Sequence, residues 1–313
     1  MTRDYLVYGW RLRSDLELPC VTCNDDEQPD CVISTLLPVA KPQRTPSKTS
    51  EHLRQTIWRL SEDHIRLEIL EPASNHWLQI NFTQAGRKIE IVYTQKTIVR
   101  NIPFLLLTGI FTPFLWQAGK VCLHGGVVST GQGGILILGD SGAGKSTTLA
   151  TFQQLGYPIL TDDITVLDTE NPQVLHRGPT YLRLWHDSAI GLGIDPFTLP
   201  LVFQPESIAG NKRYIDLSHQ PCPNTVTVQR IFILTARGTV DQPTCTLLSP
   251  QQAVAALLKN RFIGQRLGDS IYPQALSACV ALANCCAVYA VQTPANLELL
   301  FAIAQKLLEQ PLR

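Results

Sequence analysis

The sequence lacks the features that mark a nucleic-acid-binding or membrane-spanning protein. Its 313 residues carry 26 Lys+Arg and 26 Asp+Glu, so no excess of positive charge is available to attract a polyanion. One apolar stretch, residues 102–116, contains two prolines and is shorter than the roughly 20 residues that a transmembrane helix needs. We therefore expect no nucleic-acid partner, no membrane partner, and a buried helix at 102–116.

The sequence also lacks a regular cysteine framework and an apolar leader. Its 9 cysteines are odd in number and scattered, which predicts reduced thiols and a cytoplasmic location. Cys20, Cys23 and Cys31 have no fourth ligand at a suitable spacing, so zinc binding there is disfavoured. The first ten residues contain no apolar core, and we expect no secretion signal.

The pattern of the chain changes near residue 100. Residues 1–100 are rich in β-branched and aromatic residues with partial alternation, and a polar, proline-bearing loop is predicted at 38–52. From residue 101 onward, predicted strands alternate with predicted helices. We therefore predict a smaller β-rich N-terminal domain, 1–100, followed by an α/β catalytic domain, 101–313.

Several elements of the second part are predicted from local signals. A helix is expected at 145–156, and a strand at 158–168 that includes two adjacent aspartates. A later helix is expected to begin near Ser249, and the last helix to have Thr293 as its N-cap. In residues 182–188 we expect a core tryptophan, Trp185, beside an exposed histidine, His186.

Residues 139–146 match the phosphate-binding pattern G-x-x-x-x-G-K-[ST] in full. The glycines allow main-chain N–H groups to face phosphate oxygens, and the N-terminus of the following helix adds positive potential. Lys145 is expected to reach the β- and γ-phosphates of ATP, and the Ser146 hydroxyl to bind Mg²⁺. The predicted nucleotide-binding residues are Gly139, Asp140, Ser141, Gly142, Ala143, Gly144, Lys145, Ser146 and Thr147.

Asp162 and Asp163 follow the predicted helix. Adjacent strand residues point to opposite faces, so both carboxylates can reach the phosphates only where strand pairing loosens at the strand end. One carboxylate can then serve the metal while the other accepts a proton from an attacking hydroxyl. The alternative is that Asp163 only caps the end of the strand.

His124 lies in a predicted strand ahead of the loop and completes a three-part pattern. The His-Gly pair at 124–125, the loop and the Asp-Asp pair closely resemble the catalytic domain of the HPr kinase/phosphorylase family, which is related by fold to phosphoenolpyruvate carboxykinase. The resemblance covers roughly residues 120–170 at motif level and the rest of the chain more diffusely. It implies a P-loop kinase fold with ATP and Mg²⁺, and candidate catalytic residues His124, Lys145, Asp162 and Asp163.

The chain also departs from that family. The family's usual glutamate after the P-loop serine is Thr147 here, and its second, glycine-rich signature is matched only distantly by residues 189–197. These departures weaken the expectation that HPr is the substrate or that phosphorolysis occurs. They favour the HPr kinase-like relatives, some of which phosphorylate serine on small modified peptides.

These observations predict an ATP-dependent kinase acting on a serine-type hydroxyl of a protein, a peptide or a small molecule. Asp163 is the predicted base and Asp162 the predicted metal ligand, although the order can be swapped. Lys212 and Arg213 are candidate phosphate or substrate contacts, with ordinary surface charge as the alternative. A nucleotide-binding regulator without phosphotransfer is the alternative function. By resemblance alone, we expect a homo-oligomer to which residues 102–116 contribute if they are exposed.

Overall fold

The computed structural model describes most of the chain as two large β-sheets with helices. The described residues are 2–24, 27–36, 54–61, 63–71, 76–84, 86–94, 101–168, 170–202, 212–235, 238, 240–262 and 272–312. The predicted loop at 38–52 lies outside them. No helix in this described part is long and apolar enough to cross a membrane. All nine cysteines lie in it, and none forms a disulfide.

The first sheet is built entirely from residues 3–93 and has the strand order β3-β1-β2-β4-β8-β7-β6-β5. Alternating burial in its strands places one row of apolar side chains, such as Ile89 and Ile91, in the core. The turn between the first two strands has positive φ at Tyr8 (55°) and Gly9 (79°), as a tight hairpin requires. The strands are β1 Arg3–Val7, β2 Trp10–Ser14, β3 Val21–Cys23, β4 Cys31–Thr35, β5 Arg54–Ser61, β6 His64–Glu71, β7 His76–Thr83 and β8 Lys88–Tyr93.

The apolar segment at 102–116 is helical and buried, as predicted, but it is not one helix. It consists of α1 (Ile102–Leu105), a π-helical turn (Leu106–Ile110) and α2 (Thr112–Gln117). Each α-helix has a proline in its first two positions, where the missing N–H costs nothing. Phe111 and Phe114 are fully buried.

The second sheet is mixed, and its longest strands change partners along their length. Its order is β10-β9-β12-β13-β16-β18-β17, with β11 paired to β9 and β10 also paired to β16. Strands β14 and β15 form a separate antiparallel pair. The strands are β9 Val121–Thr130, β10 Gly133–Gly139, β11 Ile159–Thr161, β12 Ile164–Leu167, β13 Val174–His176, β14 Tyr181–Leu184, β15 Arg213–Asp216, β16 Thr225–Leu234, β17 Thr244–Leu247 and β18 Ala287–Gln292.

The helices that follow are packed against this sheet, which gives an α/β arrangement. Buried apolar side chains of the first and last of these helices pack in one cluster with one face of the sheet. Ser249 forms the predicted N-terminal cap, with a reciprocal bond to Gln252. The helices are α3 Lys145–Gln154, α4 His186–Gly191, α5 Pro250–Lys259, α6 Tyr272–Cys285 and α7 Leu300–Leu308.

The predicted start of the last helix is wrong. A 3-10 turn at Leu297–Leu299 comes first, and the Asn296 side chain accepts the bond from Glu298 N that caps it. Helix α7 itself begins at Leu300. Thr293 and Pro294 carry a typical start signal, but the strand β18 ends at Gln292, and the chain needs the intervening residues to turn onto the sheet.

Candidate functional site

The phosphate-binding loop connects the end of β10 to the start of α3. Gly139, Gly142 and Gly144 have φ values of 149°, 84° and 97°, which side-chain-bearing residues rarely adopt. A Cβ on Gly139 would lie 2.6 Å from the carbonyl oxygen of Leu234 on the neighbouring strand β16. The glycines of the motif therefore serve both the curvature of the loop and its close approach to the sheet.

Lys145 is buried at the first position of α3, with its ammonium group inside the loop. Its Nζ donates to the carbonyl oxygens of Gly139 (2.8 Å) and Asp140 (3.0 Å). Burial lowers the pKa of Lys145, and nearby carboxylates oppose that shift. The Asp140 side chain itself is exposed and pairs with Lys259 at 3.1 Å.

Thr147, the last predicted nucleotide contact, has a buried hydroxyl that donates to Ser188 of α4 at 2.9 Å. Its side chain thus fastens α4 to the first turn of α3. Ser141 and Gly142, in contrast, are exposed on the outer part of the loop, and Ala143 packs inward.

Ser146 and Asp162 are joined directly. The Ser146 hydroxyl donates to Asp162 Oδ1 at 3.0 Å, and the main-chain N–H of Arg183 donates to Asp162 Oδ2 at 3.0 Å. The side chain of Asp162 is 2% exposed. This carboxylate is therefore fixed beside the first turn of α3.

The sequence predicts one continuous strand through the two aspartates, and this prediction is wrong. The strand is interrupted between Thr161 and Ile164, where the N–H of Ile164 donates to the carbonyl of Asp162 at 2.9 Å. Asp163, between them, has a φ of 71°. An i→i+2 bond around a residue with such a φ is a rare and strained turn.

The turn at 162–164, the aspartate turn, removes the constraint that adjacent strand residues point to opposite faces. Thr161 Oγ1 donates across the turn to Ile164 O at 2.8 Å, and Gly125 N donates to Asp163 O at 3.1 Å. Because the chain reverses locally at Asp163, adjacent carboxylates need not point to opposite faces. Asp162 contacts Ser146, while Asp163 contacts a histidine and an arginine.

His124 contacts the second aspartate. Its position in β9 is opposite Ile164, and its Nε2 lies 3.4 Å from Asp163 Oδ1. The ring also meets Phe262 edge-on, with centroids 5.7 Å apart. The structure thus brings His124 and Asp163 together, and the family resemblance implies that this histidine neighbours the acidic pair.

Arg183, on β14, is the residue that sequence reasoning missed. Its Nη2 lies 2.6 Å from Asp163 Oδ2 and its Nε lies 3.9 Å from Asp162 Oδ2. The residue is 9% exposed. A signal was present: an arginine at the centre of an otherwise apolar strand needs a buried partner.

Burial and Arg183 act differently on the two aspartates. Burial raises the pKa of Asp162, and the attraction of Arg183 offsets only part of this effect. Burial also raises the pKa of Asp163, but Arg183 and then His124 overcome it and hold that pKa well below its usual range. The unliganded site therefore contains one firmly ionised carboxylate and one that is costly to ionise.

Lys212 lies close enough to this cluster to interact electrostatically with Arg183 and the two aspartates. The contacts of Arg213 include Leu199 and Phe197. Burial and Arg183 lower the pKa of Lys212, and the two aspartates oppose that shift. Arg213 is buried, donates to Leu199 O at 2.7 Å and covers the ring of Phe197.

The expectation of a core tryptophan at 185 is wrong. Trp185 is 51% exposed and lies under the ammonium of Lys212, 4.7 Å from its ring centroid, while His186 is only partly exposed. Trp185 is the N-cap position of α4, outside the strand β14, and the core is filled by Leu182 and Leu184 instead.

The residues beside the loop fit a magnesium ion better than a transition metal. The described part of the chain contains no group of three His, Cys, Asp or Glu side chains arranged to hold a metal. A hydroxyl and a carboxylate oxygen 3.0 Å apart, Ser146 Oγ and Asp162 Oδ1, are the oxygen ligands that Mg²⁺ prefers when waters and phosphates complete its shell.

Comparison with known proteins gives the same family as the motifs. No family model matches the chain. Two curated proteins named HPr kinase/phosphorylase, one from Treponema pallidum (strain Nichols) and one from a second strain of Treponema pallidum subsp. pallidum, are each 30% identical over 135 residues, covering 39% of this chain and 40% of the relative. The chain thus matches less than half of the length of these relatives.

A solved structure, the Hpr(Ser) kinase/phosphatase from Coxiella burnetii, is 16% identical with a TM-score of 0.30 and covers 59% of this chain and 93% of its own. Over the 135 matched residues, the chain is similar to the two proteins named HPr kinase/phosphorylase.

Proposed function

We propose that this protein is an ATP-dependent kinase that transfers the γ-phosphoryl group to a hydroxyl acceptor, in the manner of an HPr kinase-like serine kinase. One observation carries the proposal: the aspartate turn directs Asp162 to the P-loop serine and leaves Asp163 beside it, next to His124. A phosphate-binding loop alone is compatible with many functions. A second carboxylate next to the phosphate site is what an acceptor hydroxyl needs.

In this proposal, the loop and Lys145 hold the phosphates. The Lys145 ammonium, which donates to loop carbonyls in the unliganded site, exchanges these bonds for contacts with the β- and γ-phosphate oxygens. Ser146 and Asp162 hold Mg²⁺, directly or through water. The ion supplies charge neutralisation to the phosphates when it is bound.

Asp163 receives the acceptor hydroxyl. The hydroxyl oxygen attacks the γ-phosphorus in line, the bond from phosphorus to the bridging oxygen of ADP breaks, and the hydroxyl proton passes to Asp163. His124 orients the carboxylate from the other side. A carboxylate with a lowered pKa is a weak base, but a loose phosphoryl-transfer transition state needs orientation of the nucleophile more than early proton removal.

Lys212 stabilises the negative charge of the transferred phosphoryl group in this proposal, because its ammonium group lies close enough for the carboxylates of Asp162 and Asp163 to attract it. Arg213, whose side chain donates to Leu199 O, is a second candidate phosphate or substrate contact. The acceptor is a protein, a peptide or a small molecule. We keep as proposals that 1–100 and 101–313 are separate domains, that the protein is cytoplasmic, and that it is a homo-oligomer. Light scattering at micromolar concentration tests the last.

The test is transfer of radiolabel from γ-labelled ATP with Mg²⁺ into candidate acceptors: serine-containing peptides, HPr and small hydroxyl compounds. Labelled product with the wild type, and none with Asp163→Asn, supports the kinase. Tight ATP·Mg²⁺ binding with no label in any acceptor supports the alternative, a nucleotide-binding regulator. The absence of ATP binding by the wild type rejects both functions.

A further inference from the structure

We propose that Arg183 is the positioning residue of this site: through its guanidinium and its main-chain N–H it holds the two aspartates in different orientations, and so divides their roles. The inference rests on the proposed function and deepens it. It concerns which carboxylate is available to the acceptor, a question that the adjacent positions of Asp162 and Asp163 leave open.

The two contacts come from different parts of one residue. The side chain of Arg183 reaches Asp163 Oδ2 at 2.6 Å, and its main-chain N–H donates to Asp162 Oδ2 at 3.0 Å. A charged contact of this length is among the stronger hydrogen bonds in proteins. One residue therefore contacts both carboxylates, and each contact leaves the other oxygen of that carboxylate for a different partner.

The strand position of Arg183 makes this double contact possible. Strand β14 pairs with β15 along one edge, with Arg183 opposite Tyr214. The N–H of Arg183 is directed to Asp162 instead of to a neighbouring strand. Leu182 and Leu184, on either side, are buried in the core and fix the position of the strand.

Both carboxylates have one oxygen bound by Arg183 and one oxygen bound by a residue of the proposed machinery. The second oxygen of Asp162 accepts from Ser146, and the second oxygen of Asp163 faces His124. The guanidinium meets Asp163 Oδ2 through Nη2 at 2.6 Å, whereas its Nε lies 3.9 Å from Asp162 Oδ2, whose closer contact is with the main-chain N–H at 3.0 Å.

The aspartate turn has a strained backbone at Asp163, with a φ of 71°. Such a conformation persists only where surrounding contacts determine it. Gly125 N and the Thr161 hydroxyl bind its backbone, but among the described residues the ionic contacts to the Asp163 side chain come from Arg183 and His124. Loss of the guanidinium is expected to free the carboxylate to turn.

The experiment compares Arg183→Met, which keeps length without charge, with Arg183→Lys, which keeps charge without the planar fork. For Arg183→Met we expect the maximal rate of label transfer to fall at least about tenfold, because Asp163 is no longer held in its orientation toward the acceptor. The ATP KM should stay within about threefold. Arg183→Lys should recover only part of the rate, because it keeps the charge without the planar fork.

A second measurement does not depend on transfer. The protein is labelled with ¹³C-aspartate, and the Asp163 carboxyl signal is identified by its loss in Asp163→Asn. At a fixed pH of about 7, this signal should move in Arg183→Met, because the carboxylate loses its close contact with the guanidinium and is free to turn. Arg230→Met is the matched control, because Arg230 is also buried but bonds to carbonyls of Leu307, Leu308 and Gln310.

The outcomes separate the two proposals. If the wild type labels no acceptor, the kinase assignment fails, while the Asp163 signal still decides the role of Arg183. If Arg183→Met leaves the Asp163 signal unchanged, or moves it no more than Arg230→Met does, the positioning role is rejected. If Arg183→Met does not fold, Arg183→Lys gives the decision, since an unchanged rate there rejects the need for the planar guanidinium.

Discussion

The phosphate-binding loop and the aspartate turn lie side by side, yet different parts of the chain determine their conformations. The loop is specified locally: three glycines adopt positive φ, and Lys145 bonds to carbonyls five and six residues before it. The turn at Asp163 places a non-glycine residue at positive φ and depends on partners from β9 and β14. A local motif can be found in a sequence, whereas a conformation held by distant residues cannot.

The difference between the loop and the aspartate turn is tested most strongly by a substitution at Asp163. Asp163→Asn keeps the shape of the side chain but cannot accept a proton, so we expect transfer to fall by roughly 10²–10⁴-fold. ATP·Mg²⁺ affinity should persist or improve, because a negative charge near the phosphates is removed. Label transfer and calorimetric binding on the same preparation measure the two effects. Transfer as fast as in the wild type would identify another residue as the base.

In the loop, the largest expected effect is on folding. Gly139→Ala combines positive φ with a Cβ 2.6 Å from Leu234 O, so we expect a loss of about 3 kcal/mol in the free energy of unfolding. Gly142→Ala is the matched control, since nothing lies within 4 Å of its added Cβ and only about 1–2 kcal/mol of backbone strain remains. Denaturant titration compares them, and equal losses would contradict a role for the close approach to β16.

The same difference between local and distant determinants separates the features that the sequence predicts from those that it does not. The loop, helix α3 and the start of α5 near Ser249 were accessible because each depends on a short pattern, and the family resemblance implied that His124 neighbours the acidic pair. The break in the strand at Asp163 was not, since Asp in an apolar stretch is equally compatible with a strand end. Arg183 was missed for a related reason: its partner lies 20 residues earlier and is found only when the turn is known.

A smaller effect is expected for the charge inside the loop. Lys145→Ala removes the ammonium that meets the phosphates, and we expect at least about 2 kcal/mol, or roughly 30-fold, weaker ATP·Mg²⁺ binding. Lys259→Ala is the control, because Lys259 is an exposed lysine that also contacts the loop, through Asp140. It should change affinity by less than about 1 kcal/mol. Thermal stabilisation by ATP·Mg²⁺ that is unchanged in Lys145→Ala would refute the assignment.

The smallest expected effects are on thermal stability, where substitution of Asp162 and substitution of Asp163 should shift the Tm in opposite directions. The pKa of Asp162 is raised, so its ionisation costs the folded protein stability progressively as the pH rises from the unfolded pKa of about 3.9 to the folded value, and the full cost remains above it. Asp162→Asn should therefore raise the Tm of the unliganded protein by a few degrees at neutral pH, and the gain should shrink as the pH falls. It should also weaken the Mg²⁺ dependence of ATP binding, because a metal ligand is lost.

The pKa of Asp163 is lowered, so its ionised form stabilises the folded protein above the unfolded pKa of about 3.9, and this contribution declines as the pH falls toward the folded value. Asp163→Asn should lower the Tm at neutral pH, by an amount that is constant between about pH 5 and 7 and shrinks below about pH 4. Thermal melts of both variants across this range test the pair of signs. Two variants that shift the Tm in the same direction at neutral pH would show that the turn does not hold its carboxylates in different environments, and that the aspartates are interchangeable.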